Sequence, residues 1–170
     1  MAVAVIAAVV PAIASAQSAQ NPMSAGLARG FANVSGFIVK SAEMLPDEKF
    51  SYKPVATVRS LAEEFGHVAD AHYMFCSRAK GEANPATAKI EGGGLKKADL
   101  IAKLSESVAY CAGVYNATTD ATLAEPFQVG QARGIKLLPL ANNIAHDNEH
   151  YGKIVTALRL NGMVPPSSQP

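Results

Sequence analysis

The sequence predicts an all-α protein, a four-helix bundle formed by one domain. The chain has 170 residues, of which 49% are hydrophobic and 17% charged, with a formal charge of +1; this suits a single domain that needs neither metal nor disulfide merely to fold. Apolar residues recur at helical spacing in four long stretches, and no stretch shows sustained strand alternation. Segments rich in Gly and Pro separate these stretches, as expected of loops between helices.

The first 16 residues are expected to form a cleaved signal peptide. They contain 14 apolar residues and no charge, but they are shorter than the 17–25 residues of a membrane helix and contain Pro11. They end in Ala14-Ser15-Ala16, small residues that suit signal peptidase. We therefore expect an exported protein, periplasmic or extracellular, with residues 17–170 as its domain and no stable membrane span. The alternative is a buried N-terminal helix.

The four helices are predicted from their end signals and apolar stripes. Asn21-Pro22 is typical of a helix start, and Asn161-Gly162 of a helix end. Ser60 and Glu63 have the spacing of a capping box, although Thr57 is an alternative cap. A loop with Pro126 and two glycines precedes the last helix. The predicted helices cover about 22–44, 57–80, 96–117 and 138–160.

The linker at residues 81–94 is long enough to cross the bundle. Helices of about 23 residues are roughly 35 Å long, and 14 extended residues reach about 46 Å. If the linker crosses, helices 2 and 3 run parallel, and Cys76 and Cys111 lie at similar heights on apolar stripes. In an exported protein these cysteines are suited to a disulfide, and the alternative is two small buried apolar residues.

The four histidines carry the strongest chemical signal, because they fall in two short segments. His146 and His150 are one helical turn apart, so their imidazoles project from one face and suit one divalent ion. His67 and His72 are about 140° apart around a helix, so only one of them can join the same ion. Helical periodicity favours His72, which lies within the apolar stripe, but it leaves the third ligand open.

The acidic residues near the histidines do not identify a general base. Asp147 and Glu149 each point about 100° away from one of His146 and His150 and about 60° away from the other, so we expect both on the solvated face. Asp70 and Tyr73 are candidates to support a ligand, but surface or packing roles are the simpler expectation. Only 20 residues follow His150, which argues against a zinc peptidase that recruits a downstream ligand.

Two segments resemble the DinB/YfiT-like metal-binding four-helix bundles. They are residues 58–71, VRSLAEEFGHVADA, and residues 146–166, HDNEHYGKIVTALRLNGMVPP. Each motif is loose alone, whereas their order and spacing together are distinctive, and most of residues 22–166 fits. The chain departs from the family pattern at Lys153, where a Gln is usual, and in its apparent signal peptide.

The resemblance implies a bundle with helices 2 and 3 parallel and a divalent metal, zinc or nickel, held by His67, His146 and His150. The ligand choice against His72 thus comes from the family pattern. The resemblance also implies a metal-dependent enzyme acting on a small-molecule substrate, either a hydrolase or a thiol-dependent transferase, and dimers formed through helix faces. The alternative is a non-catalytic metal-binding or interaction module.

Other classes are excluded by composition and motif. The near-neutral chain has no long run of Lys or Arg, which argues against nucleic acid as a partner. Ferritin-like di-iron bundles require a pair of Glu-x-x-His repeats, and the sequence contains only one such stretch, Glu64-Phe-Gly-His67.

Overall fold

Four long helices form the framework of the protein, as predicted. The computed structural model describes residues 20–170, so the predicted signal peptide at residues 1–16 lies outside the described residues. Within the described range, no helix is both long and apolar enough to cross a membrane. The elements in chain order are α1 (Pro22–Met44), α2 (Leu61–Lys80), α3 (Lys97–Ala117), the short α4 (Asp120–Leu123), β1 (Pro126–Val129), β2 (Ala132–Ile135) and α5 (Leu137–Leu160).

The helix ends follow from local capping chemistry. Ser60 and Glu63 form the predicted capping box, so α2 begins at Leu61 and the alternative start at Thr57 was wrong. Gly81 ends α2 in the left-handed conformation, with φ of 75°, which glycine adopts without a steric penalty. At α1, the carboxylate of Asp120 accepts the N–H groups of residues 23 and 24 at 3.2 and 2.7 Å. The short helix α4 therefore caps α1 from a distant part of the chain.

A small β-hairpin occupies part of the segment that was predicted to be a loop. Strands β1 and β2 pair antiparallel, with Pro126 opposite Ile135 and Val129 opposite Ala132. Gly130 takes a positive φ of 58° in the connecting turn. The prediction of a plain loop was wrong here, because four-residue strands are too short to produce a recognisable alternation.

Helices α2 and α3 run parallel, as the family resemblance implied and the linker length allowed. Each of them packs against the other, while α5 packs on α2 and α1 packs on both α3 and α5. His72 on α2 contacts Ser107 on α3, and one turn later Cys76 contacts Cys111. Residue numbers therefore increase in the same direction along both helices. The two cysteines form a disulfide with their Cα atoms 5.4 Å apart. The 81–94 linker therefore crosses the bundle.

The core consists of two apolar clusters with a polar layer between them. One cluster surrounds Phe65, Leu104 and Ile154, and the other surrounds Phe31 and Tyr115. The layer between them contains four fully buried polar side chains, each contributed by α2, α3 or α5: His72, Ser107, Asn143 and Asp147. Buried polar groups require hydrogen-bond partners, so this layer demands a specific alignment of three helices.

Candidate metal centre

Three of the four histidines converge between α2 and α5. One nitrogen from each of His67, His146 and His150 lies within 4.8 Å of the other two. The Nε2 atoms of His67 and His146 are 3.1 Å apart. The helices produce this cluster because residues 146 and 150 are one turn apart on α5, facing residue 67 on α2. The structure thus brings His67, and not His72, to the pair on α5.

A buried carboxylate orients the imidazole of His150. Glu64 Oε2 lies 2.6 Å from His150 Nδ1, and the side chains are only 9% and 4% exposed. A carboxylate accepts hydrogen bonds, so Nδ1 carries the proton and Nε2 keeps its lone pair. Burial opposes ionisation of Glu64, but the hydrogen bond with His150 and the charges of Lys153 and Arg59 outweigh it and lower the pKa of this carboxyl.

A second carboxylate contacts His67 from the crossover linker. Glu91 Oε2 lies 3.1 Å from His67 Nδ1, and Arg59 donates to Glu91 Oε1 at 2.6 Å. Burial lowers the pKa of His67, and Arg59 lowers it further, although Glu91 opposes both. A low pKa keeps the imidazole neutral, which is the form that binds metals.

His72 has a different role, as the centre of the buried polar layer. Its Nε2 lies 3.0 Å from Asp147 Oδ2, and its Nδ1 lies 3.0 Å from Ser107 Oγ. The Ser107 hydroxyl donates its own proton to Leu104 O, so it accepts from His72. Both nitrogens of His72 therefore act as donors, and neither has a free lone pair for a metal.

The expectation that Asp147 faces solvent was wrong. Its side chain is fully buried against His72, because α5 packs on both α1 and α2 and its buried arc is wide. Burial opposes ionisation, but the charge of His72 outweighs it and lowers the pKa of Asp147. Glu149 does face solvent, as expected, where it pairs with Lys153 at 2.7 Å.

Asp70 and Tyr73 also have defined positions. The Asp70 carboxylate accepts the backbone N–H groups of Ile90 and Glu91, each at 2.9 Å, and so fixes the linker residue that contacts His67. Tyr73 instead packs its ring against Tyr110, with centroids 5.4 Å apart. Asp70 therefore supports the site indirectly, whereas Tyr73 has a packing role.

The donor set fits one tetrahedral ion. Histidine nitrogens bind zinc at 2.0–2.1 Å, which places two ligand atoms of a tetrahedron about 3.3 Å apart. The 3.1 Å between His67 Nε2 and His146 Nε2 is close to that separation. Carboxylates on the Nδ1 atoms of His67 and His150 are the outer partners that metal-binding histidines usually have. The three histidines could therefore hold a metal ion with small side-chain movements.

A cavity of about 760 Å³ borders the site on the side of the Nδ1 atoms. Glu64 and Glu91, which contact the Nδ1 atoms, line it together with Arg59 and Lys153. The Nε2 atoms lie on the other edge of each imidazole, so this cavity adjoins the carboxylates rather than the candidate ligand nitrogens.

Sequence reasoning missed Glu91 and the pairing of Glu64 with His150. Glu91 stands beside Gly92-Gly93-Gly94 in a linker without periodicity, so no pattern there places its side chain. Glu64 carried a usable signal, because residues 64 and 67 are three apart and share a face of α2.

The fold and the site together define a four-helix bundle with a candidate three-histidine metal centre. The sequence model of the DinB superfamily matches residues 38–154, which is more than half of the chain. The protein therefore belongs to the DinB superfamily, and the resemblance noted in its sequence is confirmed.

Solved structures agree on the fold. A DinB-like protein from Bacillus cereus is 16% identical, with a TM-score of 0.70 over 83% of this chain and 94% of that one. A DinB-like protein from Bacillus subtilis is 20% identical, with a TM-score of 0.68 over 85% of this chain and 99% of that one. No curated protein matches the sequence.

Proposed function

We propose that the protein binds one divalent metal ion through His67, His146 and His150. The observation that carries this proposal is the convergence of three imidazole nitrogens within 4.8 Å. The carboxylates on two of the outer nitrogens support it, because they leave the inner lone pairs available. Imidazole ligands suit zinc and nickel, the metals that the family resemblance implies.

We further propose that the site is enzymatic and acts on a small molecule. Three protein ligands leave a coordination position open, which is characteristic of catalytic rather than structural zinc. When bound, such an ion lowers the pKa of a water to about 7 or binds a thiolate. Hydrolysis and thiol-dependent transfer are the two reactions that this chemistry supports.

A non-catalytic metal-binding module is the second candidate, and the acidic residues favour it. Glu64 and Glu91 are engaged by the proposed ligands, and Asp147 is engaged by His72. None of these three carboxylates is free to act as a general base. The 760 Å³ cavity also borders the carboxylates and not the inner nitrogens.

Export is the proposed localisation. The uncharged apolar residues 1–16 support it, and so does the Cys76–Cys111 disulfide, because disulfides persist in oxidising compartments and are rare in the cytosol. Fractionation of cells that express the full chain tests the proposal. Mature protein lacking residues 1–16 is expected outside the cytoplasm, and full-length protein retained in the cytoplasm would contradict it.

Metal analysis of histidine variants tests the proposed ligands. We expect one equivalent of zinc or nickel on the wild type and a large loss in His67→Ala, His146→Ala and His150→Ala. His72→Gln is the matched control, since glutamine still offers polar groups to Asp147 and Ser107, and it is expected to keep the metal. Loss in His72→Gln with retention in His67→Ala would reverse the ligand choice.

A further inference from the structure

The crossover linker lies directly against α2 beside the histidine cluster. The Asp70 carboxylate accepts the backbone N–H groups of Ile90 and Glu91. A Cβ atom on Gly66 would lie 2.9 Å from the Cα of Glu91, so only glycine allows this approach without movement of the backbone. Two residues of α2 therefore fix the height and the distance of Glu91 relative to the helix.

The side chain of Glu91 is held on both oxygens. Arg59 donates to Oε1 at 2.6 Å, and His67 Nδ1 and Lys89 Nζ lie 3.1 and 3.2 Å from Oε2. Only 17% of the Glu91 side chain is exposed. Both carboxylate oxygens of Glu91 therefore have charged or polar partners, which fix the position of this acceptor beside His67.

We propose that Glu91 is a positioning residue of the metal centre, which holds His67 with its proton on Nδ1 and its Nε2 lone pair toward the ion. The inference rests on the proposed metal function. Without a partner on Nδ1, the ring of His67 could rotate, and its proton could move to the nitrogen that must bind the metal. Glu64 serves His150 in the same way, but from within α2.

Glu91 and Glu64 differ in how they are positioned, because Glu91 belongs to the linker and Glu64 to α2. Glu64 is placed by helix geometry alone, whereas Glu91 depends on the contacts of Asp70 and Gly66 with the linker. Asp70→Ala should therefore weaken metal binding, although the hydrogen bonds of Asp70 go to the linker backbone and not to the three histidines.

Metal-free protein provides the first test, independent of metal binding. Long-range ¹H–¹⁵N spectra of histidine side chains report which ring nitrogen carries the proton. We expect His67 to be protonated on Nδ1 in the wild type and on Nε2 in Glu91→Ala. Glu82→Ala is the matched control, because Glu82 is an exposed glutamate of the same linker that pairs with Lys80; it should leave His67 unchanged.

Cobalt(II) binding provides the second test, through its affinity and its visible absorption spectrum. Loss of an outer partner typically costs 10–100-fold in metal affinity, so we expect that loss in Glu91→Ala, with an altered spectrum at saturation. Glu91→Gln keeps the shape and a neutral acceptor, which is weaker than a carboxylate, and should restore part of the affinity. It also replaces Glu91→Ala if that variant does not fold.

The outcomes separate this inference from the proposed function. Unchanged tautomer, affinity and spectrum in the folded Glu91 variant would overturn the role of Glu91. If the wild type takes up no cobalt, the metal function fails, while the spectra of metal-free protein still decide whether Glu91 controls the His67 proton.

Discussion

The disulfide between α2 and α3 should contribute a large part of the stability of the protein. Cys76 and Cys111 are both fully buried and lie 35 residues apart in sequence. Because the bridge closes a loop that contains the whole crossover linker, its reduction releases that loop in the unfolded state. The disulfide can be broken by reduction with dithiothreitol, or removed by the double substitution Cys76→Ala with Cys111→Ala.

The magnitude follows from the loop length. The loop-entropy relation for cross-links gives about 3.8 kcal/mol at 25 °C for a closed loop of this size. Domains have total stabilities of about 5–15 kcal/mol, so the bridge is worth a quarter or more of the stability. With a typical urea dependence of about 2 kcal/mol per M, the unfolding midpoint should fall by about 2 M on reduction.

Urea unfolding followed by circular dichroism measures this difference. Oxidised and reduced wild-type protein are compared, and the double alanine variant is the control, because reductant has no bond to break in it. Coincident unfolding curves for oxidised and reduced wild type would show that the disulfide does not stabilise the protein, and an equal response of the double variant would show that the reductant acts elsewhere.

Three further changes test other parts of the structure. Gly66→Ala should destabilise the protein by about 1–3 kcal/mol in urea unfolding, because its Cβ meets linker backbone. His72→Ala should cost about 3–5 kcal/mol in the same assay, since it removes the buried His72 partner that lies 3.0 Å from the Asp147 carboxylate. Contacts with Lys53 and Ser60 lower the pKa of Glu63 to about 2; the stability this gives is complete above pH 4.5 and is lost as pH falls toward 2. Thermal unfolding between pH 5 and 3 should therefore show a steeper decline for wild type than for Glu63→Gln, by less than about 1 kcal/mol because the side chain is 36% exposed.

Each of these predictions has a control or a contrary result. Gly113→Ala, a helical glycine with open space around it, should stabilise by about 0.5–1 kcal/mol, and equal effects at residues 66 and 113 would contradict the packing argument. If His72→Ala costs less than 1 kcal/mol, the buried pair of His72 and Asp147 does not stabilise the protein as expected. If the stability of wild type and of Glu63→Gln depends on pH in the same way, ionised Glu63 does not contribute to stability through the capping box.

The helices were predictable because their ends carry explicit local signals. Pro22 in the first turn of α1, the Ser60–Glu63 capping box and Gly162 after α5 each have a chemical reason to stand where they do. The linker length allowed a crossing and parallel α2 and α3, and the family resemblance implied that order. The hairpin was missed since its strands have four residues each.

The site was predictable only in part, because a helical wheel describes one helix and not its neighbours. The wheel correctly put His72 inside the core, but the interior there is polar: Asp147 and Ser107 take up both of its nitrogens. The prediction for Asp147 was wrong for the same reason. Its angle from His146 around α5 does not show which neighbouring helices cover the face of α5 that carries Asp147. The family pattern selected His67, and its place beside the α5 pair follows from the packing of two helices.

The parallel arrangement of α2 and α3 also explains how a linker residue reaches the candidate site. An antiparallel pair needs only a short turn, which would stay at one end of the bundle, whereas a parallel pair requires a connection that travels the length of the helices. On that path the linker passes α2 at Gly66, where the absence of a side chain lets the backbone approach. Glu91 therefore meets His67 because of the topology, and a shorter connection between the same helices would have no residue at this position.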